Sequence, residues 1–264
     1  VTDPFGRNAV WTNYEAVWHY NEDPSGTAPQ ITDVTGNGHD GSTNGSMTSG
    51  DLVDAKIGQG LDFDGNDDSI SVPESADLRV TGEFTFGMWF NQQSQNSYEG
   101  LFGQVTNGEW DGGFGAFMHY DELRFFINSW DGADTPSGGR IVIDNLSTDT
   151  DYHFVGRYNK SNVEGILNDS KTTGTATTQD VNWRGTPPLM LAELDSPTTW
   201  DGDRIDAIQS HAYFTKQALS DDYVSLEYQN QNDPVTFWGT PTLVNTNNIY
   251  FTDFSEYTTG QQPS

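Results

Sequence analysis

The sequence predicts an all-β protein: two antiparallel sheets packed as a sandwich, with one short helix near the C-terminus. Three observations predict it. Helical periodicity is nearly absent over the 264 residues. Short runs that alternate apolar and polar side chains recur along the whole chain. Each run is closed by Gly, Asn, Asp, Pro or Ser, the residues that supply turn geometry.

The elements follow in chain order. Trp11, Tyr14, Trp18 and Tyr20 mark an early strand within residues 1–20. ITDVTGNGHDGST, residues 31–43, is too polar and Gly-rich for a helix or a buried strand, so it reads as a turn. LDFDG and SISVP alternate around a polar tip and read as a hairpin. FTFGMWF is a core strand with Trp89 inside. Residues 91–113 and 130–139 read as polar, Gly-rich loops. In GAFMHY and LRFFIN, period-two alternation sends Ala116, Met118, Tyr120, Leu123, Phe125 and Ile127 to the core. It sends Phe117, His119, Arg124, Phe126 and Asn128 to the opposite face. RIVID, YHFVGRY, PLMLAEL and IDAIQSHAYF complete the strands.

Ser220 is an N-cap, and Asp221 and Asp222 suit the first turn of a helix near residues 220–229. Thr236–Trp238 and Asn248–Phe251 are expected to add strand. The organisation expected is one domain over residues 1–233, then a C-terminal strand and a linker to a following module over 234–264. Both ends read like the middle of a longer polypeptide, and no signal peptide opens the chain.

Composition narrows the function. Acidic residues number 39 against 11 basic ones, for a net charge of -28. Such a field repels phosphate backbones and anionic bilayers, so nucleic acid and membrane insertion are excluded as expectations. Self-repulsion of this size favours a high-salt habitat, where the Debye length falls to roughly 3 Å at 1 M. Cysteine is absent, so neither disulfides nor thiolate chemistry operate. The expected location is extracellular, at a cell surface or on a virion.

Five blocks then appear in order: TDVTGNGHDG, KIGQGLDFDGNDDSISVP, FTFGMWF, DYHFVGRYN and DRIDAIQSHAYFTKQALSDDYVSLEY. Together they resemble the laminin-G-like group of the concanavalin A-like lectin/glucanase superfamily, over roughly residues 14–232. The resemblance implies a two-sheet antiparallel jelly-roll sandwich with a concave face. It also implies a structural Ca2+ held by Asp33, the backbone carbonyl around Gly36, and Asp206. Calcium takes six to eight hard oxygens, and Gly36 and Gly38 let the turn bend inward. The same residues also satisfy a simpler arrangement. Asp33 forms an Asx turn, and Asp206 bonds to nearby amides or to Arg204. A second acidic group, Asp62, Asp64, Asp67 and Asp68, reads as a solvated hairpin tip.

The superfamily also contains hydrolases and lyases. The E-x-D-x-x-E string of its glucanases does not occur here. His119 and Tyr120 are adjacent, so alternation puts them on opposite faces and argues against a lyase-type acid/base pair. The five His form no H-x-H or H-E-x-x-H cluster. What remains is a noncatalytic lectin-like module that binds a glycan or a cell-surface protein. Its expected ligand-binding residues are Trp110, His119, Arg124, Asn128 and Trp130, with Trp200 as a weaker addition. An enzyme of the same fold, or a structural spacer in a viral tail or adhesin, are the alternatives.

Overall fold

A computed structural model describes residues 11–105, 111–129, 138–195, 204–238, 241–245 and 248–251. The chain divides into two compact units, Val1–Leu219 and Ser220–Ser264. The first is the sandwich.

One sheet runs β13 (Ser170–Ala176), β12 (Asn162–Leu167), β11 (Tyr152–Tyr158), β6 (Phe84–Gln92), β15 (Asp206–Thr215), β4 (Gln59–Asp64), β3 (Leu52–Asp54). β1 (Ala16–Trp18) pairs with the far half of β15, Trp18 opposite Ala212. The other sheet runs β10 (Gly139–Ile143), β9 (Glu122–Ser129), β8 (Asp111–His119), β7 (Ser97–Gln104), β14 (Leu189–Leu191), β5 (Ser69–Val72), β2 (Ser42–Asn44). All of these named strand pairs are antiparallel. The expected two-sheet antiparallel fold is therefore the observed one.

Alternation explains the core. Phe84, Phe86, Met88 and Phe90 of β6 face Phe102, Phe114, Phe125 and their neighbours from the second sheet. Phe86 stacks on Phe102 with centroids 3.8 Å apart, and Phe114 lies parallel to Phe214 at 5.7 Å. Each such buried ring contributes about 1.5–3 kcal/mol. On the other side of β6, Gly87 lets the Tyr213 ring lie against the backbone. A Cβ there would sit 2.2 Å from Tyr213 Cζ.

Two expectations change. The segment 91–113, read as loop, contains the end of β6, all of β7 and the start of β8. Gly103, Gly112 and Gly113 are close-approach sites within strands; a Cβ on Gly103 would meet the Leu194 carbonyl at 2.3 Å. Thr236–Trp238, read as strand, is helical. In the second unit, α1 (Asp221–Asn232) is capped by Ser220, whose Oγ accepts from Tyr223 N at 3.2 Å. α2 (Pro234–Trp238) follows at once, with Pro at its first position and Asp233 Oδ1 accepting from Thr236 N at 3.0 Å. β16 (Pro241–Asn245) and β17 (Asn248–Phe251) form a hairpin. Among the described residues, no helix is long and apolar enough to cross a membrane.

Candidate functional site

The two acids of the expected calcium clasp do not meet. Asp33 bridges Trp18 of β1, and Trp18 lies opposite Ala212. Asp206 lies opposite Asp64, at the other end of β15. The two positions, Asp206 and Ala212, are six steps apart along β15, roughly 15–20 Å at strand rise. Asp33 is buried, and its carboxylate is already filled by donors. Oδ1 accepts from Val17 N (3.1 Å) and Thr35 N (3.0 Å), Oδ2 accepts from His39 N (3.1 Å), and the Thr35 hydroxyl reaches both at 2.8 Å. Gly36 turns through φ 85° and donates its N–H to the Asp33 carbonyl at 3.4 Å. The ITDVTGNG turn is thus an amide-filled Asx knot that fastens β1, and Asp33 does not fit a cation. The register of β15 is the physical reason: the turn and Asp206 dock at opposite ends of one strand.

Acids gather instead at the β4–β5 hairpin tip. Ligand oxygens of Asp64, Asp67 and Asp68 lie within 4.8 Å of one another, the one such group of His, Cys or acidic residues among the described residues. Asp64 is pushed up by its partial burial. Hydrogen bonds from the Asn66 side chain and from the backbone of Asn66, Asp67 and Asp68 outweigh this and bring it below the usual range. Asp68 is only 6% exposed. Burial, then the neighbouring Asp64 charge, pushes it up to about 6. Burial also raises Asp62, helped by Asp206, Asp51 and Asp64. Arg204 approaches this tip, donating from Nη1 to the Asn66 carbonyl at 3.0 Å and pairing with Glu193 at 3.3 Å. The sequence suggests a solvated tip; Asp64 and Asp67 are exposed accordingly, but Asp68 is not, because it packs under Gly45.

The other candidate is the outer face of the second sheet. Phe117 and His119 of β8 and Arg124 and Phe126 of β9 point there. Phe117 and Phe126 are fully buried in a small cluster with Val105 and Leu194. Arg124 lies over the Phe117 ring, its Cζ 5.8 Å from the centroid, and its Nε donates to Glu122 at 3.0 Å. From Phe117 the rings continue outward. Tyr98 is 6.0 Å from Phe117 and 4.8 Å from His119, and Tyr120 is 4.9 Å from His119. Tyr120 is 53% exposed.

Tyr98 and Tyr120 both sit in the left-handed region, at φ 66° and 59°. Such backbone costs about 1–3 kcal/mol and persists only where surroundings enforce it. Here the enforcer is Glu99, a buried carboxylate that accepts from Gln92 Nε2 (2.7 Å), Asn96 N (3.1 Å) and Asn96 Nδ2 (2.9 Å). Asn96 O in turn accepts from Tyr120 N at 2.7 Å. The rim that carries both tyrosines is thereby held rigid.

The expected site residues divide accordingly. His119 and Arg124 lie on this face. Asn128 is on it by alternation but is a structural clamp: buried, at φ 63°, it donates to the Asp180 carbonyl at 3.0 Å and accepts from Asn182 N at 2.6 Å. Trp110, Trp130 and Trp200 lie outside the described residues. Tyr120, expected in the core, is on the rim, because its left-handed backbone breaks the alternation and swings its ring beside His119. Tyr98 went unnoticed inside a supposed loop, because the register shifts on either side of Glu99 and Gly100 leave SYEGLFGQ without a readable alternation. A short E-x-D, Glu193 and Asp195, also went unremarked. Both are buried, and burial raises Glu193 despite Arg204 and a hydrogen bond from Ser69. A buried, ion-paired carboxylate is not open to a sugar.

No protein-family model and no curated protein matches the chain by sequence. Solved structures do share its fold. The binding domain of Paraclostridial Mosquitocidal Protein 1 matches with TM-score 0.63 and 13% identity, over 89% of this chain and 56% of that one. Domain 4 of AbnA, a GH43 extracellular arabinanase from Geobacillus stearothermophilus, in complex with arabinotriose, matches with TM-score 0.60 and 16% identity, over 81% of this chain and 97% of that one. The binding domain of Botulinum Neurotoxin DC in complex with SialylT matches with TM-score 0.61 and 11% identity, over 86% and 52%. The chain therefore spans little more than half of each toxin binding domain. At these identities the likeness is one of fold.

Proposed function

We propose that this chain is a noncatalytic, lectin-like recognition domain of a larger secreted, cell-surface or virion protein, and that it binds glycan at the rim formed by Tyr98, His119, Tyr120 and Arg124. The observation that carries the reading is the ring ladder with two tyrosines held in left-handed backbone. Flat, prepositioned aromatic faces stack on sugar rings with little ordering cost. An exposed tyrosine on a rigid rim is more than a spacer needs. The fold neighbours support the reading, since one was solved with arabinotriose and another with SialylT. The laminin-G-like kinship read from the motifs belongs to this proposal. The calcium expected at Asp33, Gly36 and Asp206 does not, because those carboxylates stand apart.

A glycan array probed at high salt tests it. The Tyr98→Ala and Tyr120→Ala variants should each lose about tenfold in affinity, on the order of 1.4 kcal/mol, with an unchanged thermal midpoint for Tyr120→Ala. Absence of any bound glycan, or variants that bind like the parent, refutes the proposal.

One observation favours a second reading. His119 touches two tyrosine rings, and Tyr98 links it through Phe117 to Arg124, a residue set that resembles that of a polysaccharide lyase. Release of an unsaturated product from a uronate polysaccharide, lost in His119→Gln, would establish it.

A further inference from the structure

We infer that the rim selects neutral glycans and rejects sialylated, sulfated or uronate-containing ones. This rests on the glycan-binding reading above and adds the ligand class. Recognition of an acidic sugar needs an uncommitted cation at the stacking face. The cation at the exposed end is Arg124, and its charge is already paired: Nε and Nη2 both engage Glu122 Oε2, which leaves its other N–H groups as donors for neutral hydroxyls. Glu122 pairs with it directly, and by chain position and strand register Asp121 in the β8–β9 turn and exposed Asp144 just past β10 fall at the same end of the sheet. Arg140, half-buried, lies opposite Phe126, four residues along β9 from Glu122 and so roughly 13 Å at strand rise from the end that carries His119 and Tyr120. The whole chain adds a net charge of -28, so an anionic polymer approaches against the field.

A paired carboxylate and guanidinium suit a neutral sugar. Glu122 offers acceptors and Arg124 offers donors to adjacent hydroxyls, while Tyr120 and Tyr98 supply stacking faces. The pair costs nothing in net charge and matches a ligand that carries none.

Affinity gel electrophoresis tests this with the whole chain. The neutral gels contain arabinan, xyloglucan, β-glucan or mannan. The acidic gels contain polygalacturonate, alginate, hyaluronan or heparin. Each pair is run at low salt, and equilibrium binding is then measured at 0.1 and 1 M NaCl. Retardation by at least one neutral polymer, little changed by salt, with none by the acidic polymers at low salt, is the expected result. The Glu122→Gln variant, which releases Arg124, should weaken neutral binding and gain measurable retardation by an acidic polymer at low salt. Retardation of the parent by an acidic polymer equal to or above that by the neutral ones overturns the inference and leaves glycan binding standing. An unaltered selectivity in folded Glu122→Gln also overturns it. Retardation by none of the polymers overturns the inference and the glycan reading together.

Discussion

Replacing Asp68 by Asn should stabilise the protein at neutral pH and leave it unaltered in acid. Asp68 is 6% exposed, sits under Gly45, and has ligand oxygens within 4.8 Å of those of Asp64 and Asp67. Burial and the Asp64 charge lift it to about 6, against 3.8 when free. The folded state therefore binds the proton more tightly than the unfolded one. Between about pH 4 and 6 the native chain holds more protons, so stability falls as pH rises and stays lower above 6. At 1.36 kcal/mol per pH unit the deficit is at most about 3 kcal/mol. Solvent reaches the neighbouring acids, so screening reduces it to about 1–2 kcal/mol.

Asn keeps the shape and can still accept from Asp64 N, the bond now made by Asp68 Oδ2 at 3.4 Å. The variant should gain about 1–2 kcal/mol at pH 7.5, or roughly 2–8 °C in midpoint for a domain of this size, and nothing at pH 4. The measurement is chemical and thermal unfolding of both chains from pH 4 to 8, with chelator present so that no divalent ion neutralises the trio. A variant less stable than the parent at pH 7.5, or a difference that does not vary with pH, refutes the reasoning.

Burial lowers His153 and His211 to about 3, with lesser contributions from His211 on the first and His19 on the second. Their neutral forms support the fold above 6.5 and that support drains away as pH falls toward 3; His153→Phe should move the acid midpoint to lower pH, followed by circular dichroism. Gly87→Ala forces a Cβ into the Tyr213 ring and should cost on the order of 2–4 kcal/mol in urea unfolding. Asn128→Ala breaks the tie to residues 180–182 and should lower the midpoint by several degrees without altering the glycan selectivity of folded protein. With a net charge of -28, the thermal midpoint should rise between 0.05 and 1 M NaCl; a flat profile by scanning calorimetry would count against a high-salt habitat.

The sandwich was legible because its cause is local. Alternation along FTFGMWF, GAFMHY and LRFFIN assigns core and outer face residue by residue, and the Phe rings went where period two sends them. The Ser220 cap was legible for the same reason: it needs only its own next three residues. Strands rich in glycine were missed, since SYEGLFGQ hides its period wherever a missing side chain admits a neighbour's backbone. Trp238 closes a helix started by Asp233 and Pro234, where Thr236–Trp238 is expected as strand.

What local pattern carries, then, is the class of fold, the side each strand buries, and a net charge of -28. Which distant groups touch is another matter. The register of β15 parts Asp33 from Asp206 and sets Asp206 opposite Asp64. A left-handed φ at Tyr120, imposed by hydrogen bonds radiating from Glu99, returns that ring to the side of His119. Register and backbone handedness are outcomes of long-range packing, and two residues that look alike on paper acquire opposite roles when a strand slides or a single dihedral changes sign.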